Sequence, residues 1–410
     1  MLKRLFISWQ NTSLMLRILC GVLLGAILAI LLPGIEGIAM LGRIFVGALK
    51  GIAPILVGVL VIASVAKARA GLGGRFRTVI SLYILSTLLA AVLAVFASRL
   101  FKVEIALSGI SGSENSAPEA LSDIFTQIFT NIVVNPVSAL ASGNYLSILF
   151  WAVIIGLALK QTAGEKTITA IGDLSESISK VVSWIIQFAP FGILGLVYSS
   201  VSESGLDIFT TYGRLLLLLV GCMVAVPLVI HPILIGSMIR KNPYPLIWKC
   251  LKESGISAFF TRSSAANIPV NLDLCRRMGI DENFYSVSIP LGSTINMNGA
   301  AITITIMTLA TCHTLGIGTT FASALLLSVI ATLGACGASG VAGGSLLLIP
   351  MACSLFGIGN DISMQVVAVG FIIGVIQDSV ETALNSSSDA MYTIAAEMHE
   401  RRKHGSECHK

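Results

Sequence analysis

Long apolar stretches separated by short polar connectors make up most of this 410-residue chain. A bilayer core about 30 Å thick requires about 20 apolar residues in one helix, which sets the window to search for. Windows of this length with few or no charges span residues 14–32, 38–66, 78–100, 124–159, 178–200, 208–239, 284–312 and 362–396. The pattern predicts an all-α integral membrane protein with eight transmembrane helices, the fourth broken near Asn135-Pro136.

The composition excludes a water-soluble globular protein. Hydrophobic residues make up 55% of the chain and charged residues 11%, with a mean hydropathy of +0.89, whereas a soluble domain carries about 25% charged residues. The net charge of +5 forms no basic stripe interleaved with aromatic residues, so we expect lipid and not nucleic acid as a partner. The 8 cysteines form no CxxC pair, so we expect no disulfide framework, zinc site or other cofactor.

Charges in the connectors predict the orientation in the membrane. Residues 67–77 contain four basic residues and no acid, whereas residues 101–123 contain four acids and one lysine. Because basic connectors stay in the cytoplasm, the first connector is predicted to be cytoplasmic and the second external. With eight spans, both termini are then cytoplasmic.

Two further segments are too interrupted to span the membrane as lipid-facing helices. Residues 247–277 contain the polar run TRSS at 261–264, and residues 321–356 contain a glycine-rich stretch at 334–344. Non-helical backbone at membrane depth is tolerated only where it is buried in protein or lines a cavity. The segments predict two re-entrant helical hairpins, one from each face, as in an inverted-repeat transporter. The alternative is a helix contact of small residues in one segment and a cytoplasmic loop in the other.

The last predicted span carries an acidic stripe. Asp378, Glu381, Thr382, Asn385 and Asp389 occur at i, i+3, i+4, i+7 and i+11, which places them within an arc of about 100° on one helix face. An ion buried in the membrane costs several kcal/mol unless it is paired, so such a stripe indicates a functional site.

The stripe needs a cation from elsewhere in the chain or from a ligand, because residues 281–400 contain no lysine or arginine. The candidates are Arg262, Arg43, Lys50, a proton, a metal ion and the ammonium group of a substrate. A structural ion pair between Arg262 and one acid would explain either Asp378 or Glu381, but not all three carboxylates.

The seventh predicted span contains the run NMNG at residues 296–299, shortly after Gly292 and Thr294. Two amides and a glycine that can loosen the helix offer oxygen ligands in a dry environment. These oxygens, together with Asp389 and Asn385, suit a hard monovalent cation such as Na⁺ better than a divalent or soft metal. The alternative for the two asparagines is hydrogen bonding between helices.

The order of four motifs resembles that of a known family. The TRSS hairpin, the NMNG run, the GVAG sequence at 340–343 and the acidic stripe are similar to those of the glutamate/neutral amino acid:sodium symporter family, most closely its bacterial sodium:serine/threonine branch. This resemblance covers nearly the whole chain and implies a homotrimeric elevator transporter in a bacterial inner membrane. The implied scaffold comprises residues 1–77 and 101–205. The implied mobile transport domain comprises residues 78–100 and 206–396, and residues 397–410 form a cytoplasmic tail.

The resemblance also implies roles for individual residues. Asp378 would bind the ammonium group of the substrate, and Asn385 and Thr382 its carboxylate. Hairpin contacts to the substrate would come from Ser263, Ser264, Val341 and Gly343. Sodium ligands would be Gly292, Thr294, Asn296, Asn385 and Asp389.

Two positions depart from the acidic-substrate members of that family, which have Arg in place of Glu381 and Thr in place of Ala300. In a poorly screened site Glu381 would repel a side-chain carboxylate, so we predict rejection of aspartate and glutamate. The same carboxylate would accept a hydrogen bond from a small hydroxyl side chain, which favours serine and threonine.

A further sodium site of the acidic-substrate members is predicted to be weakened. That site uses an Asp where this chain has Asn298, together with hydroxyls that match Ser86 and Thr87. Because the hydroxyls remain but the anion does not, we predict fewer coupled sodium ions than in those members.

The sequence therefore predicts sodium-coupled import of L-serine and L-threonine by alternating access, and no enzymatic activity. An intramembrane hydrolase is disfavoured because the chain contains no HExxH or GxSxG motif. The nearest alternative is a proton- or sodium-coupled transporter of dicarboxylates or other amino acids in the same fold. A cation channel is a distant alternative, because two opposed hairpins favour alternating access.

Overall fold

The computed structural model describes residues 12, 14–67, 74–107, 133–205, 208–336 and 343–403. Within these ranges the chain forms helices joined by turns and short extended connectors, and no strand. The all-α class predicted from the apolar pattern is confirmed for this part of the chain.

The N-terminal helices pack through small residues. They are α1 (Leu14–Leu31), α2 (Glu36–Lys67), α3 (Gly74–Leu100), α4 (Pro136–Ser142), α5 (Tyr145–Thr162), α6 (Glu165–Gln187) and α7 (Ala189–Ser204). Helix α1 lies along α7, and α2 packs on α5, α6 and α7. A Cβ atom on Gly21 or Gly25 of α1 would collide with the carbonyl oxygens of Pro190 or Leu194 of α7. Glycine thus permits the close backbone approach by which membrane helices associate.

The C-terminal helices surround one long central helix. They are α8 (Ile208–Ala225), α9 (His231–Ile239), α10 (Tyr244–Cys250), α11 (Ile256–Thr261), α12 (Ile268–Arg277), α13 (Glu282–Ile295), α14 (Asn298–Thr314), α15 (Phe321–Ala335), α16 (Ile349–Ser354) and α17 (Asn360–Lys403). The π-helical turns Val226–Ile230 and Leu251–Gly255 join α8 to α9 and α10 to α11, and the 3₁₀ turn Leu346–Leu348 precedes α16. Helix α17 contacts α3 and α7 to α14, and most of its side chains are buried.

Each segment predicted as a hairpin contains two helical legs. In hairpin 1, α10 and α11 form the first leg and α12 the second, with residues 262–267 between them. In hairpin 2, α15 forms the first leg, and the 3₁₀ turn and α16 form the second. Residues 337–342 between the legs of hairpin 2 lie outside the described residues. Re-entry of both hairpins into a membrane stays a prediction.

The fourth predicted window, 124–159, is divided further than expected. The chain is non-helical at residues 133–135, which agrees with the predicted break near Asn135-Pro136, and a second break at Gly143 and Asn144 separates α4 from α5. The Asn135 side chain caps α4 by accepting hydrogen bonds from the N–H groups of Val137 and Ser138 at 2.9 and 3.2 Å. Proline fits the first helical position because it has no N–H to satisfy there. The start of that window, at residues 124–132, lies outside the described residues.

Two further windows are each divided into two helices. The fifth, 178–200, contains the end of α6 and the start of α7, whose axes differ by 54°. Pro190 in the first turn of α7 cannot donate the backbone hydrogen bond that would continue α6. The seventh, 284–312, divides into α13 and α14 at Asn296-Met297.

Several helices are long and apolar enough to cross a membrane. Five described helices meet this condition by length and composition, and the bent pair α6 and α7 gives a sixth if it is one span. Shorter apolar helices span Leu16–Leu31, Phe150–Thr162 and Phe321–Ala335. The helices are those of a membrane protein, and the number of eight spans stays a prediction.

Candidate functional site

Three carboxylates lie buried along one face of α17. Asp378, Glu381 and Asp389 are 3%, 5% and 0% exposed, respectively. Steps of three and eight residues keep them on one side of a helix that has about 3.6 residues per turn. Because buried charges need partners, the groups facing these carboxylates decide what the site can bind.

Asp378 is paired with Arg262 of hairpin 1. Arg262 follows α11 with a left-handed backbone (φ 52°), and its Nε and Nη2 lie 2.8 and 2.7 Å from Asp378 Oδ2. The other oxygen, Oδ1, accepts a hydrogen bond from the Gly343 N–H of hairpin 2 at 3.3 Å. Asp378 therefore joins both hairpins. A non-glycine residue at positive φ is held there by its surroundings, so the arginine is positioned by the fold.

The other candidate cations lie elsewhere. Lys50 of α2 forms an ion pair with Asp361 at the start of α17. Arg43 and Lys50 line a cavity of about 540 Å³ between α2, α7 and α17. Within the described ranges, the stripe thus forms one ion pair, between Arg262 and Asp378, and Glu381 has no cationic partner.

Glu381 is held by neutral donors instead. Its Oε2 accepts hydrogen bonds from Thr303 Oγ1 of α14 at 2.7 Å, Ser345 Oγ of hairpin 2 at 3.0 Å and Gln377 Nε2 of α17 at 2.5 Å. Sequence reasoning missed all three donors. Gln377 was detectable as the i−4 neighbour of Glu381, and Thr303 as the residue one turn after Gly299. No sequence pattern pointed to Ser345.

Thr382 and Asn385, predicted to bind a substrate carboxylate, lie on the same face of α17. Thr382 Oγ1 donates to the Asp378 carbonyl oxygen at 2.7 Å. Asn385 Oδ1 accepts the Gly299 N–H at 2.7 Å, and its Nδ2 contacts Met297 Sδ at 3.5 Å. Thioether sulfur is a weak acceptor, so the Asn385 amide hydrogens remain available for a stronger one such as a carboxylate.

The break between α13 and α14 places polar groups beside Asp389. Asn296 and Met297 leave the helical conformation, with φ,ψ of −95°, 81° and −119°, 52°. Asn296 Nδ2 donates to Asp389 Oδ1 at 2.8 Å and to Ser388 Oγ at 2.7 Å. A Cβ on Gly292 would lie 2.8 Å from Asp389 Oδ1, so glycine permits this approach. Asp389 Oδ2 is buried and has no hydrogen-bond partner among the residues the structure describes.

Ser86, Thr87 and Asn298, the residues predicted for the weakened sodium site, lie beside Asn296 and Met297. Ser86 Oγ and Asn298 Nδ2 both donate to Asn296 Oδ1, at 3.4 and 3.1 Å. Thr87 Oγ1 accepts the Met297 N–H at 3.3 Å. Asn298 Oδ1 is buried without a partner in the described part of the chain. The Asn298 amide therefore donates to Asn296 Oδ1, an oxygen that a cation at this site would need as a ligand.

Tyr83 of α3 is a further neighbour of Asp389 that sequence reasoning missed. Its hydroxyl lies 3.2 Å from the carbonyl oxygens of Ser288 and Asp389, and 3.0 Å from Thr393 Oγ1. The sequence feature that could have identified Tyr83 is its position one helical turn before Ser86 on the same helix. Tyr83 thus connects α3 to α13 and α17 at this end of the stripe.

Two buried asparagines fix hairpin 1 to α17. Asn267 Nδ2 donates to Ser254 Oγ and to Ser386 Oγ, both at 2.9 Å. Asn271 Nδ2 donates to the Ser386 carbonyl oxygen, also at 2.9 Å. These contacts, which the sequence did not predict, hold the hairpin in the register that brings Arg262 to Asp378.

The remaining predicted residues have local roles or lie outside the described residues. Ser263 Oγ accepts the Ala266 N–H at 3.2 Å within its own turn, and Thr294 Oγ1 donates to the Leu291 carbonyl oxygen at 2.8 Å. Ser264 is buried, at 6% exposure. Val341 lies outside the described residues.

The donor set around Asp389 suits a hard cation. No three His, Cys, Asp or Glu side chains come together in the part of the chain that the structure covers. A cation at Asp389 would thus take its other oxygens from amides, hydroxyls and carbonyls, which favour an alkali ion over a soft metal. The unpartnered Asp389 Oδ2 is the charged oxygen available to such a cation.

The chain is similar to known transporters over almost its whole length. Residues 14–398 match the model of the sodium:dicarboxylate symporter family. A serine/threonine transporter SstT from Bifidobacterium adolescentis is 55% identical over 97% of this chain and 92% of its own length. Proteins of the same name from Streptococcus thermophilus and Enterococcus faecalis are 52% and 55% identical over 97% of this chain and 98% and 94% of their own lengths. The chain therefore belongs to the sodium:dicarboxylate symporter family, whose members are transporters and not enzymes.

Proposed function

We propose that this chain imports L-serine and L-threonine together with Na⁺ across a bacterial inner membrane. The observation that carries the proposal is the buried Glu381, which lies one helical turn from Asp378 and has no cationic partner in the described residues. A site with this second acid suits a zwitterion whose side chain donates a hydrogen bond. The relatives named serine/threonine transporters support the same substrate class.

The substrate ammonium group binds Asp378 in this proposal. Arg262 holds that carboxylate with two nitrogen contacts at 2.7 and 2.8 Å, so the guanidinium serves as a cation until a substrate arrives. The ammonium group then replaces part of that ion pair. Asn385 Nδ2 and the Thr382 hydroxyl receive the substrate carboxylate. Ser264, Val341 and Gly343 contribute hairpin contacts to the bound amino acid.

Glu381 excludes dicarboxylates. An aspartate side chain at this position would place a second anion beside Glu381 in a poorly screened environment, and like charges so placed cost several kcal/mol. A hydroxyl group donates to the same carboxylate without repulsion. Selectivity therefore comes both from attraction of the hydroxyl and from repulsion of the competing acid.

The formal charge of the stripe supports coupling to a small number of sodium ions. Asp378, Glu381, Asp389 and Arg262 together carry −2 when ionised, and a zwitterionic substrate leaves this sum unchanged. Two sodium ions would bring the loaded site to neutrality, which lowers the cost of moving it across the membrane. One ion uses Asp389 and Asn296 with the Gly292 carbonyl and Asn385, and another uses Thr294 with carbonyls of hairpin 2.

The third, weakened site contributes little. Asn298 Nδ2 already donates to Asn296 Oδ1, so a cation there would have to displace an internal hydrogen bond and would gain no anion in return. The proposal therefore assigns fewer sodium ions to this chain than to acidic-substrate members of its family.

The transport domain in this proposal moves as an elevator within a homotrimer. It comprises residues 78–100 and 206–396, and the scaffold comprises residues 1–77 and 101–205, with both chain termini in the cytoplasm. The Lys50–Asp361 ion pair lies between the two proposed domains. Exposed ion pairs of this kind contribute about 0–1 kcal/mol, so they do not prevent sliding.

Uptake by proteoliposomes tests the proposal. Purified protein is reconstituted, and accumulation of labelled L-serine is measured under an inward Na⁺ gradient, with K⁺, Li⁺ and pH gradients as controls. We expect accumulation with Na⁺ alone, inhibited by threonine and not by aspartate. Uptake driven by a pH gradient would identify the carboxylates as proton carriers, and inhibition by aspartate would contradict the role of Glu381. Conductance without substrate would indicate a channel.

A further inference from the structure

The neutral donors around Glu381 form a closed cluster with one unsatisfied atom. Gln377 Nε2 donates to Glu381 Oε2 at 2.5 Å and to Thr303 Oγ1 at 2.8 Å. Thr303 Oγ1 also lies 2.7 Å from Glu381 Oε2 and 3.0 Å from the Gly299 carbonyl oxygen. Gln377 is fully buried, and its Oε1 has no hydrogen-bond partner among the described residues.

The orientation of the Gln377 amide is set by its neighbours. A carboxylate accepts hydrogen bonds and cannot donate one when ionised, so the NH₂ group and not the carbonyl oxygen must face Glu381. The carbonyl oxygen is then left without a donor, which is costly in a buried position. A hydrogen-bond donor is therefore missing from this cluster.

All described hydrogen bonds to Glu381 fall on one oxygen. Thr303, Ser345 and Gln377 each donate to Oε2, which holds the carboxylate in one position. Ser345 belongs to hairpin 2, whereas Thr303 lies on α14 and Gln377 on α17. The cluster thus connects the side chain of Glu381 to the hairpin that closes the proposed substrate site.

We propose that Gln377, Thr303 and Ser345 form, with Glu381, a subsite that recognises the side-chain hydroxyl of the transported amino acid. Gln377 is a positioning residue in this subsite: it fixes Glu381 by one hydrogen bond and orders Thr303 by a second. The substrate hydroxyl donates to the Glu381 carboxylate, which these three residues hold in position. The inference rests on the proposed function, and it adds the residues that distinguish serine from alanine.

Isosteric removal of the polar groups tests this role. Gln377→Met keeps the length of the side chain, and Thr303→Val keeps its shape, but neither can hydrogen-bond Glu381. A site built around a substrate hydroxyl loses discrimination when its polar partners are removed. We expect the ratio of Vmax/KM for L-serine to that for L-alanine to fall about tenfold in each variant, through a higher KM for serine.

Three controls separate positioning from a general structural effect. Gln365→Met makes the same substitution twelve residues earlier on α17 and should leave the ratio unchanged. Thr303→Ser retains the hydroxyl and should preserve the ratio that Thr303→Val loses. In the double variant Gln377→Met with Glu381→Gln, the effect of Gln377→Met should disappear, because a residue that acts through Glu381 is coupled to it.

Ser345→Ala should shift the ratio in the same direction, by less than Gln377→Met.

The outcomes distinguish this inference from the proposed function. Sodium-driven serine uptake with equal Vmax/KM for serine and alanine would overturn hydroxyl recognition and leave sodium-coupled serine import and the exclusion of dicarboxylates intact. The inference is also overturned if Thr303→Val and Thr303→Ser have the same serine-to-alanine ratio, a comparison that decides the matter even if Gln377→Met does not fold. Absence of sodium-driven serine uptake in the unmodified protein would instead contradict the proposed function.

Discussion

The two ends of the acidic face of α17 differ in how their charges are compensated. At the substrate end, formed by Asp378 and Glu381, Arg262 and neutral donors from three elements surround the carboxylates. At the ion end, formed by Asp389 with Asn296 and Asn298, the Asn296 amide donates to Asp389 Oδ1, and Asp389 Oδ2 has no partner in the described part of the chain.

This difference indicates what each end binds. A buried acid that already has an internal cation can exchange it for a ligand of the same charge, so the substrate end suits an ammonium group. A buried acid with an unpartnered oxygen requires a cation from solution, because an uncompensated ion in the membrane costs several kcal/mol. In the proposed mechanism, the ion end therefore depends on Na⁺ more strongly than the substrate end depends on serine.

Neutralising the ion end should have the largest effect. Asp389→Asn retains the shape of the side chain but removes the anion, so Na⁺ binding and serine uptake lose their coupling. We expect sodium-driven serine uptake to fall about 100-fold, near the upper range of measured coupling between sites. The measurement is initial uptake rate against Na⁺ concentration. Asp361→Asn, which alters only the exposed pair with Lys50, is the matched control and should stay near the unmodified rate. Comparable rates for the two variants would refute the assignment of Asp389.

Removing the internal cation tests the substrate end. Arg262→Ala leaves Asp378 buried without its partner, and breaking one half of a buried ion pair typically costs about 3–5 kcal/mol. We expect a lower apparent melting temperature that L-serine largely restores, because its ammonium group replaces the guanidinium. Thermal unfolding in detergent, with and without serine, measures both effects.

Arg276→Ala is the control for that experiment. Arg276 belongs to the same hairpin but pairs with Asp273 at an exposed position, where an ion pair contributes about 0–1 kcal/mol. Its melting temperature should change little, and serine should stabilise it as it does the unmodified protein. If serine stabilises Arg262→Ala no more than Arg276→Ala, the exchange of guanidinium for ammonium does not occur.

Reversing the charge of Glu381 should change which amino acid binds the substrate end. In Glu381→Arg combined with Ala300→Thr, the repulsion of a side-chain carboxylate becomes attraction. We expect aspartate to inhibit serine uptake in this double variant and not in the unmodified protein, as measured by competition in proteoliposomes. Glu282→Arg makes the same charge reversal at an exposed position on α13 and should remain insensitive to aspartate. Continued refusal of aspartate by the double variant would count against the role of Glu381.

The sequence predicted the ion end and the substrate end to different extents. Helical spacing on one span brings Asp378, Glu381 and Asp389 together, so their shared face followed from periodicity alone. Periodicity did not show which acid pairs with Arg262, a candidate partner that lies 116 positions earlier and has a left-handed backbone conformation that no local pattern predicts. Ser345 was missed because no sequence pattern relates hairpin 2 to Glu381.

The division of helices was predicted less well than their existence. Apolar windows locate the buried stretches, but they average over local breaks such as the one between α6 and α7. The interruption at Asn296-Met297 depends on hydrogen bonds that these two residues donate to side chains of α17 and α3, which form only after the helices pack. Tertiary contacts therefore determine where α13 stops, whereas the local effect of Pro190 separates α6 from α7.

Restoring an anion at the ion end should have the smallest effect on transport and the clearest effect on stoichiometry. Asn298→Asp replaces an amide that donates to Asn296 Oδ1 at 3.1 Å with a carboxylate that attracts a cation to Ser86 and Thr87. We expect serine uptake at saturating Na⁺ to change little, and the number of sodium ions carried per serine, measured from reversal potentials, to rise by one. Asn283→Asp adds the same charge in the first, exposed turn of α13 and should leave the stoichiometry unchanged. An unchanged stoichiometry in Asn298→Asp would mean that the missing anion is not what weakens this site, and the geometry of the Ser86 and Thr87 hydroxyls would then be the cause.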